Sequence, residues 1–147
     1  MAAGPETRFI SKIHRKLHKD TWKIRLQMGM GSPRGIPDML YLGDLGSLFI
    51  EYKYIANWDK KRTVPMDKLS DNQVVWIERA LETKVPVAVI IGDENGKSLY
   101  LDTLRLKEGY AYKATDLITP AQVAAKIEDT ICSQHSMEIF KTQKSKL

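Results

Sequence analysis

GIPDMLYLGDLGSLFIEYKYI, residues 35–55, is the stretch that decides how this chain folds. Two apolar runs, 36–42 and 48–55, flank Gly43-Asp44-Leu45-Gly46, a short glycine-bearing interruption of the kind that reverses a strand. The runs predict two adjacent antiparallel strands. Side chains two apart share a face, so Glu51 and Lys53 point one way while Tyr52 and Tyr54 point the other. A reversal centred on Asp44-Leu45 sets Asp38 directly across from Glu51. Like charges facing each other at about 5 Å across a hairpin destabilise it, so something positive has to sit between them.

Upstream, Pro5-Glu6-Thr7 opens a helical pattern with Phe9, Ile10, Ile13 and Leu17 on one face and Arg8, Lys12, Arg15, Lys16 and Lys19 around it. TWKIRLQM, 21–28, alternates strictly, with Trp22, Ile24, Leu26 and Met28 opposed to Thr21, Lys23, Arg25 and Gln27; this predicts a half-buried strand. GMGSPRG, 29–35, is a loop that bends sharply or passes close to something.

Downstream lies a polar, basic loop, NWDKKRTVPMD, followed by a helix over 70–84 with Ser70 as its N-cap and Val74, Ile77, Ala80 and Leu81 facing inward. VPVAVIIG reads as a continuous apolar strand, DENG as a turn, and KSLYLDT as a strand pairing back. A loop then leads to a last helix beginning at Thr119-Pro120. The expected fold is one α/β domain over 1–147, a mixed central sheet flanked by helices.

Composition bounds the function. With 43% hydrophobic and 28% charged residues the chain is of ordinary soluble type, and no apolar run approaches the roughly 20 residues that span a bilayer. No secretion-signal pattern opens it, and the single cysteine, Cys132, permits neither an internal disulfide nor a cysteine-based zinc site; a cytoplasmic location is expected. The net charge of +5 is uneven: residues 1–70 hold 13 Lys and Arg against 7 Asp and Glu, while the rest holds 10 against 11. The basic half contains the hairpin, which favours a polyanionic partner.

A divalent cation answers the repulsion between Asp38 and Glu51, since it takes oxygen from both. Oxygen donors without His or Cys favour Mg²⁺, with Mn²⁺ as a substitute. The carbonyl of Tyr52 adds a further oxygen, and Lys53, next on the same face as Glu51, stands beside any water held there.

Pro37-Asp38, followed after twelve residues by Glu51-Tyr52-Lys53, resembles the motif of the PD-(D/E)XK nuclease superfamily. The order helix, strand, strand, strand, helix, strand resembles that family's α-β-β-β-α-β core over about residues 5–103, leaving 104–147 as a C-terminal helical extension outside the resemblance. Lys68-Leu69-Ser70-Asp71-Asn72-Gln73 and GSPRGIPD are similar to segments of the small stand-alone VRR-NUC nucleases and related Holliday junction resolvases. The resemblance implies a Mg²⁺-dependent DNA endonuclease with Asp38, Glu51 and Lys53 as its catalytic triplet. It further implies Glu6 as an added ligand and Gln73 as a group that orients water or phosphate.

Arg34, Lys12, Lys16, Lys68 and the run Lys60-Lys61-Arg62 are candidate backbone contacts. No helix-turn-helix, zinc finger or aromatic stacking platform is legible, which points to recognition of shape over sequence. The resemblance further implies branched DNA cut by a homodimer, in recombination or repair, as substrate and assembly, and suggests a phage or mobile-element source. Two alternatives stand beside this expectation: a sequence-specific restriction-type endonuclease, and a DNA-binding module of the same fold that does not cut.

Overall fold

The computed structural model describes residues 3–26, 35–56, 69–93, 95–108 and 116–133. Its most deeply buried long strand is the uninterrupted apolar β4 (Val87–Gly92), buried at every position because helices cover both of its faces. Around it, β1 (Trp22–Arg25), β2 (Met39–Gly43), β3 (Gly46–Tyr54), β4 and β5 (Ser98–Leu101) form one sheet in sequence order. β3 and β4 run parallel and the other neighbours antiparallel. A parallel pair needs a crossover, which helix α2 (Asp71–Glu82) provides.

Helix α1 (Pro5–His14) starts with Pro5 in the first turn, where a missing N–H costs nothing, and with Glu6 favourably placed at the positive end of the helix. It packs with α4 (Pro120–Ile131) on one sheet face, where Phe9, Ile13, Tyr41, Ile50, Tyr52 and Ile127 form the larger core. The other face carries α2 and the short α3 (Thr103–Glu108), with Ile77, Ala80, Val89, Leu99 and Leu106 in its core.

Three particulars differ from the sequence expectation, namely the start of the hairpin, α3 and the exposure of β1. The first hairpin strand begins at Met39 instead of 36, for a reason that belongs to the site below. Residues 103–108, read as the end of a strand and a loop, form α3; Asp102 caps it through a bond from the Arg105 N–H to Oδ1 at 2.9 Å. α4 packs its apolar face into the main core, with Val123, Ala124, Ile127 and Ile131 all buried. Strand β1 is exposed along its length instead of half-buried, with Trp22 at 68% and Ile24 at 39% exposure. The cores explain this, since the cluster under α2 draws on β3, β4 and β5 and includes no β1 residue. Alternation is thus a sound sign of a strand but says nothing about whether a helix lies over it. Gln27 and Met28 lie outside the described residues.

The hairpin is tied down at its tip. Leu45 N–H donates to the Ile131 carbonyl at 2.8 Å and Ser133 N–H to Asp44 Oδ1 at 2.8 Å, so the end of α4 grips the turn. Gly43 is required there because a Cβ would collide with the Ile131 carbonyl. α4 is also held at a buried polar contact, where Glu128 Oε1 accepts the His18 N–H at 2.6 Å. Glu128→Ala is expected to cost roughly 1–3 kcal/mol, the usual effect of leaving a buried donor without its charged acceptor. A urea midpoint unchanged from the parent would show that this bond does not hold α4.

Candidate metal and phosphate site

The ladder between β2 and β3 ends with Met39 facing Ile50, one step short of Asp38, whose charge acts on Glu51. There the two strands part. The Asp38 carbonyl accepts the Leu26 N–H at 2.9 Å, and its side chain replaces the next ladder bond, Oδ2 accepting the Tyr52 N–H at 2.9 Å. The strand therefore starts one residue after Asp38, because that residue's carboxylate occupies the gap. Tyr52 N–H and C=O lie on the same edge of β3, so its carbonyl also faces the gap. Gly35 brings the chain in. Its φ is +83°, and a Cβ would meet the Asn72 backbone at the start of α2.

Glu51 is 2% exposed. Its Oε1 accepts from Gln73 Nε2 at 2.6 Å and lies 3.4 Å from Lys53 Nζ, whereas Oε2 is buried and has no hydrogen-bond partner. Gln73 owes its position to a capping box: Ser70 Oγ accepts the Gln73 N–H and Gln73 Oε1 accepts the Ser70 N–H, which leaves the amide NH₂ for Glu51. One residue thus closes the helix and aims the carboxylate.

Electrostatically the site is short of positive charge. Burial, then the charge of Asp38, pushes the Glu51 carboxyl up to about 8, with Lys53 opposing. Burial also raises Asp38, against the Tyr52 N–H, Lys53 and Arg25, and it raises Glu6 together with the charge of Asp38. An orphaned buried oxygen beside a second carboxylate and a strand carbonyl is the donor set of a small hard cation. Among the described residues no three His, Cys, Asp or Glu side chains converge in metal-holding geometry. Mg²⁺ needs only one or two carboxylates when waters complete its shell, so Asp38, Glu51 and the Tyr52 carbonyl fit it. Glu6 is close enough to act on Asp38 through charge.

The site continues into a groove of about 270 Å³ between α1 and β1, which Glu6 and Asp38 share with Ser11, His14, Lys23 and Arg25. Lys23 and Arg25 were not singled out from sequence, although their alternation with Trp22 and Ile24 put them on one face. Lys12 is exposed and lines a separate small pocket with Arg8, Phe9 and Tyr54, and Lys16 is exposed beyond the end of α1. Arg34, Lys60, Lys61, Arg62 and Lys68 lie outside the described residues.

No protein-family model and no curated protein matches the chain. Among solved structures it is similar to Hjc, a Holliday junction resolvase from the archaeal hyperthermophile Archaeoglobus fulgidus, at 18% sequence identity and a TM-score of 0.50. The match covers 83% of this chain and 97% of that one. At that identity the likeness is one of fold: a mixed five-stranded sheet with flanking helices. No helix among the described residues is long and apolar enough to cross a membrane.

Proposed function

We propose that this chain is a metal-dependent endonuclease that hydrolyses phosphodiester bonds in branched DNA, with Mg²⁺ as its ion and Mn²⁺ as a substitute. The observation that carries this reading is the Glu51 carboxylate, held on one oxygen by Gln73 and Lys53 and left with a buried, unpartnered Oε2 beside Asp38. A structural ion pair would satisfy both oxygens; a ligand keeps one in reserve. The similarity of fold to a Holliday junction resolvase supports the choice of substrate.

Asp38, Glu51 and the Tyr52 carbonyl would hold the ion, which supplies Lewis acidity and a more acidic bound water. Lys53 keeps a cation beside Glu51, where it balances negative charge gathering on the attacked phosphate. Gln73 fixes the rotamer of Glu51, and Glu6 orients water near Asp38 as a hydrogen-bond acceptor. Hydrolysis breaks one P–O bond, with water adding to phosphorus and its proton ending on the departing sugar oxygen. Two copies of the chain in a homodimer would nick two strands symmetrically.

The reading is tested with a labelled four-way junction and its matched linear duplex, incubated with Mg²⁺, with Mn²⁺ and with EDTA. Paired nicks confined to the junction, dependent on the ion and lost in Lys53→Ala, are expected. Cutting of the linear duplex at defined sequences would replace branch selectivity with a restriction-type activity. Binding without cutting under any ion would leave a DNA-binding module.

A further inference from the structure

The groove between α1 and β1 changes character along its length. At one end stand the carboxylates of Glu6 and Asp38; further along are the Ser11 hydroxyl, the His14 imidazole and the Lys23 ammonium. Glu6 and His14 are eight residues apart on one helix, about 12 Å at 1.5 Å per residue. That is long enough for a strand to place a neighbouring phosphodiester at the far end.

His14 can be assigned a tautomer by counting hydrogens. The Tyr52 hydroxyl is buried, and its partner is the Tyr41 hydroxyl at 2.6 Å, which also meets His14 Nε2 at 2.8 Å. Each hydroxyl has one proton to give. If Tyr52 donates to Tyr41 and Tyr41 to Nε2, both protons are used. The reverse order leaves the Tyr52 proton in the core without an acceptor among the described residues. Nε2 therefore accepts and the ring proton sits on Nδ1. Burial, assisted by the charge of Lys23, pushes His14 down to about 4, so the ring is neutral at neutral pH. His14 thus offers a neutral N–H donor beside a lysine and a serine hydroxyl.

We propose that this end of the groove is a second phosphate site, where Lys23, Ser11 and His14 hold a backbone phosphodiester of the cut strand close to the scissile bond. It rests on the nuclease reading for the identity of the strand and extends it to residues outside the metal site. The occupant is an anion with several acceptor oxygens because the groups at this end are donors. Lys23 gives the attraction, while Ser11 and His14 give direction.

The test measures binding in EDTA, where no cutting is expected, to four-way junctions carrying a single uncharged methylphosphonate, scanned over the four linkages on each side of the expected cut. One substitution should weaken wild-type binding roughly tenfold and leave Lys23→Gln, already weakened to the same degree, unaffected. Lys23→Gln should also flatten the plot of log affinity against log salt by about one unit. His14→Leu should weaken binding without changing that slope, and His14→Gln, which can accept from Tyr41 and still donate, should restore it. Arg79→Gln, an equal charge change on the exposed side of α2, should mask no linkage. Additive effects of Lys23→Gln at every linkage would overturn the site, as would failure of the wild type to bind the junction. If a linkage is masked but no ion supports cutting, the nuclease reading falls and the phosphate site stands. If cutting depends on Asp38 but no linkage is masked, only the phosphate site falls.

Discussion

Asp38→Asn is expected to abolish ion-dependent cutting of a four-way junction, by roughly 10²–10⁴-fold, while affinity for the same DNA in EDTA stays within a few-fold. The magnitude follows from losing one of two carboxylates in a site whose ion contributes several kcal/mol to the transition state. Asparagine is the informative replacement because the proposal gives Asp38 a second task beside its structural one. Its Oδ2 accepts the Tyr52 N–H where β2 and β3 part, and an amide oxygen can take over that bond. Alanine cannot, and Asp38→Ala should add about 1–2 kcal/mol of instability to the loss of chemistry. Comparing the two variants separates the ligand from the structural acceptor. Since removing a negative charge does not repel DNA, retained binding with no cutting would mark Asp38 as part of the reaction. Near-normal cutting by a folded Asp38→Asn protein would remove it from the metal site.

Much of this arrangement is legible in the sequence because it rests on short-range rules. Strand alternation and a two-residue reversal at Asp44-Leu45 suffice to set Asp38 across from Glu51, and the structure shows that register up to the pair Met39 and Ile50. The caps Ser70 and Thr119 follow from their place before an apolar helical pattern, whereas the return bonds from Gln73 and Gln122 come from the structure. What sequence could not show is how elements meet. Exposure of Trp22 depends on where α2 ends relative to the sheet, and the role of Lys23 depends on α1 lying over the same strand. The bonds joining Tyr52, Tyr41 and His14 link residues far apart in the chain, so no local period announces them. α3 was missed for a different reason. Its cap, Asp102, follows directly on a strand, and the alternating apolar pair Leu99 and Leu101 carries a strand pattern up to the cap.

The carboxylate proposed as a metal ligand should weaken the ion-free fold. Glu51→Gln is expected to raise the stability of the protein in EDTA by roughly 1–3 kcal/mol at about pH 8, and the gap should close toward about pH 5. Glu51 is almost completely buried, with one oxygen unpartnered and the charge of Asp38 acting on it, so its ionised form is disfavoured in the fold and well solvated in the unfolded chain. Its carboxyl is pushed from the usual range up to about 8. Between the unfolded and folded values the native state binds the extra proton, so its stability falls as pH rises through that window. An amide in this place carries no charge to desolvate, and its oxygen can still accept from Gln73. The difference between variant and parent should therefore grow with pH and then level off near the folded value. Adding Mg²⁺ should reverse the order, stabilising the parent in proportion to the logarithm of ion concentration and the variant far less. Urea denaturation of both proteins at the two pH values, with EDTA and with Mg²⁺, measures all of this. A Glu51→Gln protein less stable than the parent in EDTA at the higher pH would mean that Lys53 and Gln73 already satisfy Glu51, and the case for an ion between Asp38 and Glu51 would lose its main support.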